Sequence, residues 1–251
     1  ILLSNIVYHK YSFFCSCFIQ LNDKELINIV KIIMDGGLGS KNSPNYTSES
    51  FLIVNKKDKI HGIKVYVHLT KDKKLIVLDN ETMKKIGINE TYINNHTLKS
   101  LINLNIGTKV KKNFPISLNA LISILDNDKI IIINIVDNNN IDDLTYSISN
   151  LFTGIQANNN IYVYGSSMQL IDKIISQNLN VKVGTILNEN NEHYATDFHV
   201  IDNDLFKSNN ARSILNNTPL FIDKVHEKKD FDFINQNYTS NNIYVISKTI
   251  C

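Results

Sequence analysis

A small set of charged and polar side chains falls on, or just after, the predicted strands. Asp35 ends a first apolar run, Lys64 and Tyr66 lie on a second run, Asp79 follows it, and Asn134 lies on a third. Residues two apart on a strand share a face, so Lys64 and Tyr66 should point the same way. An ammonium near two carboxylates predicts either a salt-bridged cluster or a pocket for a small polar ligand.

Histidines are the other candidates, because imidazole titrates near neutral pH and suits general acid–base catalysis. His68 shares the strand face of Lys64 and Tyr66, so it could face the interior. His96 is expected at the start of a helix, as a surface residue of the cap region. No catalytic partner lies at a recognisable sequence spacing from the remaining histidines after residue 60. We therefore interpret them as structural: His61, His193, His199 and His226.

Strands and helices alternate from about residue 30. Apolar runs typical of parallel strands buried on both faces are Val30–Met34, His61–Leu69, Lys129–Val136, Ile161–Tyr164, Lys182–Leu187, Phe198–Ile201, Leu220–Val225 and Asn242–Ile246. The windows between them predict helices at Ser48–Lys56, Thr97–Asn103, Leu118–Leu125, Asp142–Phe152, Ser167–Gln177, Asn209–Leu215 and Lys228–Asn237. Residues 36–46 and 79–96 are expected to lack regular structure. This alternation predicts a (β/α)8 barrel whose site lies at the carboxyl ends of the strands.

Composition excludes some classes of protein. The chain has 251 residues, of which 43% are hydrophobic, so it can bury a large core. A net charge of +2 and a single arginine, Arg212, argue against a nucleic-acid binder. The 37 asparagines, with many Ile and Lys, indicate an AT-rich genome.

The two ends of the chain suggest where the protein resides. Residues 1–29 are predicted to form an N-terminal extension, either a packed helix or the stub of a membrane anchor. Its charge-free run Tyr11–Leu21 is about half of the roughly 20 residues that a spanning helix needs. The chain has no initiator Met, so we expect an incomplete N-terminus. Cys15, Cys17 and Cys251 form no C-x-x-C pair, which argues for a reduced setting. We expect a cytoplasmic or membrane-associated protein.

Residues 62–83 resemble the second strand and hairpin of the glycerophosphodiester phosphodiesterase family, which reads G-I-E-L-D-V-x-L-T-K-D-G. This chain has Gly62-Ile63-Lys64-Val65-Tyr66-Val67-His68-Leu69-Thr70-Lys71-Asp72. Ile32–Gly37 resembles the family's I-I-A-H-R-G turn, and Pro44–Phe51 its P-E-N-T motif. Lys129–Val136 and Asn241–Lys248 resemble the third and last strands. The resemblance covers roughly residues 30–250 and implies a TIM barrel of the PLC-like phosphodiesterase type over residues 30–251.

The resemblance also implies a mechanism whose residues are changed here. The family uses two His as acid and base, an Arg on phosphate, a Glu of P-E-N-T, and strand carboxylates for Mg²⁺ or Ca²⁺. The catalytic equivalents here are Asp35, Gly36, Asn45 and Asp79, and the metal-ligand equivalents are Lys64, Tyr66 and Asn134. An ammonium has no acceptor and carries the same sign as a metal ion. No cofactor is therefore expected.

Three hypotheses follow. The leading one is a catalytically inactive member with a binding, scaffolding or regulatory role, whose pocket of Asp35, Lys64, Tyr66, Asp79 and Asn134 would take a small polar or phosphate-bearing ligand. Membrane contact would run through the N-terminal segment, and no nucleic acid is expected. The alternative is an active metal-dependent enzyme of lipid metabolism with a rebuilt site, releasing glycerol-3-phosphate and an alcohol. The third is a decayed paralogue kept for stability or assembly, or one with no selected role.

Overall fold

Eight parallel strands close into one barrel in the computed structural model. The structure describes residues 30–40, 43–136, 140–154, 160–188, 195–208, 218–238 and 242–248. The barrel strands are β1 (Lys31–Asp35), β2 (Gly62–Leu69), β5 (Ile130–Ile135), β6 (Ile161–Gly165), β7 (Lys182–Leu187), β8 (Phe198–Asp202), β9 (Leu220–Asp223) and β10 (Ile243–Ser247). Strand β1 pairs in parallel with both β10 and β2, which closes the sheet. The predicted (β/α)8 barrel is confirmed.

Two short strands extend the sheet outside the barrel. Strand β3 (Leu75–Val77) pairs antiparallel with the end of β2, and β4 (Ile116–Ser117) pairs antiparallel with β3. The turn between β2 and β3 is tight, and Lys73 takes a positive φ of 55° there. This arm carries the chain away from the barrel between β2 and β5.

Helices cover the outside of the barrel and begin at polar caps. They are α1 (Ser48–Asn55), α2 (Asn80–Lys85), α3 (Glu90–Asn95), α4 (Leu98–Leu101), α5 (Leu118–Ile124), α6 (Ile141–Thr153), α7 (Met168–Ser176), α8 (Asn203–Lys207) and α9 (Lys228–Asn237). Thr47 and Ser50 form a capping box at the start of α1, so the first backbone N–H groups have partners. No helix among the described residues is long and apolar enough to cross a membrane.

One local prediction is wrong. Residues 79–96 contain helices α2 and α3, each of six residues, because Asp79 and Asn89 cap helices too short to show a hydrophobic period. His96 lies in a cap region, as expected: it is the C-cap of α3 and directly precedes Thr97, the N-cap of α4. The predicted helix Asn209–Leu215 lies outside the described residues, as does the extension 1–29, and a five-residue helix, α8, precedes it.

Apolar residues fill two separate layers, as a barrel requires. Side chains from alternate strand positions fill the interior, including Ile33, Ile132, Tyr164, Phe198 and Phe221. The intervening strand residues, such as Val65, pack outward against helix residues such as Leu121, Leu144 and Ile171. Because residues on one strand face alternate in this way, polar residues in register with the interior set must point into the barrel.

The N-terminal end of the barrel is closed by aromatic rings. The rings of Phe221 and Tyr244 stack with their centroids 4.3 Å apart, and the Tyr162 ring meets Phe221 edge-on at 5.1 Å. The Lys31 ammonium lies 5.1 Å from the centroid of the Tyr244 ring, and the Lys182 ammonium lies 4.8 Å from that of Tyr162. Two lysine ammonium groups beside these rings thus complete this end of the barrel.

Candidate functional site at the carboxyl ends of the strands

Polar side chains from neighbouring strands meet at the other end of the barrel. Asp35 on β1 is in register with Lys64 on β2, and Tyr66 is in register with Asn134 on β5. Asn134 is in turn in register with Tyr164 on β6. We call this end of the barrel the mouth.

Lys64 is the centre of the mouth. Its side chain is only 1% exposed, and its Nζ lies 2.6 Å from Oδ2 of Asp223 and 3.8 Å from Oδ2 of Asp35. The same Nζ donates a hydrogen bond to the Tyr66 hydroxyl at 3.0 Å. A buried ammonium needs such partners, because removing it from water is costly. Lys64 is therefore held by an ion pair, a longer carboxylate contact and a phenol.

Tyr46 covers Asp35 from the loop that follows β1. Its hydroxyl donates a 2.8 Å hydrogen bond to Oδ1 of Asp35, and the residue is 1% exposed. Tyr46 takes a positive φ of 66°, which is uncommon for a residue with a bulky side chain. Gly36 makes room for the ring: it has a φ of 75°, and a Cβ there would lie 2.3 Å from Cε2 of Tyr46. The family that this chain resembles has Arg at this position. Here the residue is Gly36, which lies under the Tyr46 ring.

Asn45 holds this loop rather than facing the mouth. Its Nδ2 donates to the Asp35 carbonyl at 3.0 Å, and its Oδ1 accepts from the Gly39 amide at 2.7 Å. Both amide atoms are therefore used by backbone groups. These two hydrogen bonds fix the loop that places Tyr46 over Asp35.

Asp79 lies apart from the Lys64 cluster in its hydrogen bonding. Its Oδ1 accepts from the Thr82 amide at 2.9 Å and caps α2. It is 6% exposed. The sequence predicted Asp35 and Asp79 beside Lys64. The structure places Asp35 near Lys64, and the second carboxylate beside Lys64 is Asp223.

Asp223 and Tyr164 are the site residues that the sequence analysis missed. Asp223 ends β9, 159 residues after Lys64, so no local spacing connects them. A signal was present, since a carboxylate at the end of a barrel strand belongs at the mouth. Tyr164 is 1% exposed, and its hydroxyl has no hydrogen-bond partner among the described residues.

Burial and charge act on these groups in opposite directions. Burial raises the pKa of Asp35, while Lys64 and the Tyr46 hydroxyl oppose that rise. Burial alone would lower the pKa of Lys64, but the nearby charges, among them the carboxylates of Asp35 and Asp223, hold it well above its ordinary value. Burial and the charge of Asp35 raise the pKa of Tyr46. Lys64 is therefore a fixed cation and Tyr46 a hydrogen-bond donor at neutral pH.

The histidines do not gather at the mouth. His68 is buried and its Nε2 donates to the Leu78 carbonyl at 3.0 Å, while burial lowers its pKa to about 4. The ring of His96 stacks on Tyr92, and Nδ1 of His61 accepts from the Ile32 amide. His199 contacts the Thr185 hydroxyl and His226 that of Ser247, and His193 lies outside the described residues.

The side chains at the mouth do not fit a divalent metal. The positions equivalent to the family's ligands supply an ammonium, a phenol and an amide at Lys64, Tyr66 and Asn134. The ammonium already sits against the two nearby carboxylates, Asp35 and Asp223, so a second cation there would be repelled. Within the described ranges, no three His, Cys, Asp or Glu side chains are grouped as a metal site would require.

The fold and the mouth define a (β/α)8-barrel protein with a buried cluster of charged side chains at the carboxyl ends of its strands. Solved structures of glycerophosphodiester phosphodiesterases have the same fold. A phosphodiesterase from Oleispira antarctica, in complex with the product sn-glycerol-3-phosphate, matches with a TM-score of 0.72 and 11% identity, over 87% of this chain and 92% of that chain. The glycerophosphodiester phosphodiesterase from Thermotoga maritima matches with a TM-score of 0.68 and 18% identity, over 88% and 95%.

A third such enzyme, from Parabacteroides distasonis, matches with a TM-score of 0.67 and 14% identity, over 87% of this chain and 92% of that chain. No protein-family model matches the sequence, and no curated protein matches it. The likeness is therefore one of fold, along almost the whole length of these enzymes.

Proposed function

We propose that this protein is a glycerophosphodiester phosphodiesterase-like barrel that does not hydrolyse phosphodiesters and that acts by binding. The contact between Lys64 Nζ and Asp223 Oδ2, at 2.6 Å in a buried setting, carries the proposal. Phosphodiester cleavage needs a proton acceptor, a proton donor and positive charge facing the phosphate. Here the central positive charge faces carboxylates instead.

The acid–base groups support the same proposal. Asp35 stands at the family's first His position, and it is 5% exposed beneath the Tyr46 hydroxyl. Asp79 stands at the second, and its side chain caps α2. A general base must reach the proton that it removes, and both carboxylates are almost fully buried.

One observation favours the active alternative. Burial raises the pKa of Asp35, and a carboxyl group with a raised pKa is what acid–base catalysis without histidine would need. One assay distinguishes the binding function from the active alternative. Glycerophosphocholine hydrolysis, with Mg²⁺, Ca²⁺ or Mn²⁺ added, should equal the uncatalysed background, whereas metal-dependent glycerol-3-phosphate release that Asp35→Asn abolishes would establish the alternative.

Reversion of single positions should not restore hydrolysis. Acid, base, phosphate clamp and metal ligands act as one unit, and such units are strongly non-additive. Asp35→His alone gives a base without a bound phosphate, and Lys64→Glu alone gives an incomplete cation site. Activity recovered by either single change would show that the remaining parts of the site are intact.

Two partly exposed lysines suit the mouth to a phosphate-bearing ligand. Lys224 follows β9 and pairs with Asp202, with 68% of its side chain exposed. Lys248 follows β10 and pairs with Glu81, with 34% exposed. We expect sn-glycerol-3-phosphate to raise the melting temperature of the wild type, and Lys224→Ala with Lys248→Ala to remove that rise. Lys56→Ala with Lys59→Ala, at the opposite end of the barrel, is the control of equal charge.

A further inference from the structure

The segment from the second residue of α3 to the residue that caps the end of α5 has an unusual charge distribution. Its 35 residues, 91–125, contain no Asp or Glu but four lysines: Lys99, Lys109, Lys111 and Lys112. The whole chain is nearly balanced, with 26 basic and 24 acidic side chains. The segment is therefore a local concentration of positive charge.

Exposed apolar side chains occur in the same segment. Six large hydrophobic residues are exposed among those that the structure describes, and three of them are Ile102, Val110 and Phe114. Val110 is 98% exposed, the highest value of the six, and the lysines on either side of it are also exposed. An apolar residue so completely in water gains nothing from its position within the fold.

Val110 lies at the tip of a tightly tied turn, residues 107–113, which we call the docking loop. The amide of Thr108 donates to the Lys111 carbonyl at 2.9 Å, and that of Ile106 donates to the Asn113 carbonyl at 2.8 Å. Oδ1 of Asn105 accepts from the amides of Gly107 and Asn113, both at 3.0 Å. The loop is thus built to hold Val110 outward, so presenting it costs little conformational entropy.

The docking loop stands at the same end of the barrel as the mouth. Lys111 pairs with Glu49 at 2.6 Å, and Glu49 lies in the first turn of α1. Helix α1 begins beyond the carboxyl end of β1, so this contact fixes the end at which the loop lies. No ion pair is described for Lys109 or Lys112 within the described ranges, which leaves two uncompensated positive charges beside Val110.

We propose that the docking loop binds a membrane surface containing anionic phospholipid, with Val110 entering the apolar region and Lys109 and Lys112 against lipid phosphates. Such a surface has negative charge directly above hydrocarbon, which matches an apolar tip between ammonium groups. A nucleic acid would leave Val110 in water, so it fits the loop less well. The inference does not depend on the proposed function of the mouth.

An introduced tryptophan tests insertion directly. The chain contains no Trp, so Val110→Trp gives a single tryptophan whose emission reports its surroundings. We expect a blue shift when the full chain meets phosphatidylcholine vesicles in which phosphatidylserine is about a third of the lipid, and none with phosphatidylcholine alone. Tyr146→Trp, at a position 63% exposed on α6, is the matched control and should not respond. An unchanged emission from Val110→Trp with the anionic vesicles would overturn the proposal.

Charge and apolarity are then tested separately by vesicle sedimentation. Each lysine near an anionic surface contributes roughly five-fold to binding, so Lys109→Ala with Lys112→Ala should weaken it by roughly ten-fold or more. Val110→Asp should weaken it at least as much, whereas Lys56→Ala with Lys59→Ala should change it little. All variants are first checked for unchanged circular dichroism and melting temperature.

Two results would contradict the proposal in distinct ways. Vesicle binding that survives both loop variants would place the contact elsewhere, for example in residues 1–29. RNA binding that the lysine pair controls, with a silent Val110→Trp, would assign the loop to nucleic acid.

Discussion

The two ends of the barrel use lysine in different ways. At the N-terminal end, Lys31 and Lys182 lie over the rings of Tyr244 and Tyr162 and remain partly exposed. At the mouth, Lys64 is buried and is surrounded by oxygens, with Asp223 at 2.6 Å. An ammonium that keeps some water needs only a tyrosine ring and its hydroxyl, whereas one that loses its water needs carboxylates.

The contributions of the two ends to the stability of the fold should therefore respond differently to pH. The aromatic rings at the N-terminal end form an apolar closure whose contribution should not change between pH 5 and pH 7. The mouth contains ionised and titratable groups whose contribution should depend on pH and on each other. Four substitutions measure the contrast, and they are given from the largest expected effect to the smallest.

Phe221→Ala should be the most damaging change. Phe221 is fully buried and contacts the rings of Tyr244, Tyr162 and Phe198, so its loss leaves a cavity. We expect a loss of about 4 kcal/mol in the free energy of unfolding, measured by urea denaturation. The loss should be the same at pH 5 and pH 7. Phe221→Leu is the control and should cost clearly less, and a pH-dependent loss would contradict the assignment of this end as an apolar closure.

Lys64→Met should cost about 3 kcal/mol at neutral pH, because it leaves Asp35 and Asp223 near each other without their cation. The same urea denaturation measures it. Burial already raises the pKa of Asp35, and loss of the opposing Lys64 charge would raise that pKa further, so the deficit should shrink as the pH falls and Asp35 becomes neutral. Adding Asp35→Asn and Asp223→Asn should recover most of the loss. A lone Lys64→Met that melts like the wild type would mean that the buried ion pair does not matter.

His68→Gln should flatten the acid side of the stability profile. The folded pKa of His68 is lowered to about 4 from an ordinary value of 6.5. Its neutral form therefore stabilises the fold above about pH 6.5, and that contribution is lost as the pH falls toward 4. We expect the wild type to lose about 2 kcal/mol from this group by pH 5, and the variant to lose none of it. Equal slopes in the two proteins between pH 6.5 and 4 would exclude this role.

Lys182→Ala should have the smallest effect. Its ammonium lies over the Tyr162 ring and donates to the Tyr162 hydroxyl at 3.0 Å, but it remains partly exposed. A loss of about 0.5 kcal/mol in thermal denaturation is expected. A loss as large as that of Lys64→Met would erase the proposed difference between the two ends.

The eight barrel strands could be predicted because each is an apolar run long enough to identify. Helices α2, α3 and α8 could not, because helices of five or six residues depend on caps such as Asp79 and Asp202 rather than on a hydrophobic period. At the mouth, Lys64 and Tyr66 could be predicted to share a face from their spacing. Asp223 could not be paired with Lys64, because only closure of the barrel brings β9 and β2 to the same mouth.

The contact between Tyr46 and position 36 also limits which neighbouring sequences can fold. A Cβ at position 36 would lie 2.3 Å from the Tyr46 ring, so no residue larger than glycine fits there while the ring keeps its place. An arginine at position 36 would thus be tolerated only after, or together with, a change at position 46. The two sites are epistatic, and the evolutionary path between this mouth and one bearing an arginine has no viable single step beginning at position 36. Close homologues should therefore vary at the two positions as a pair.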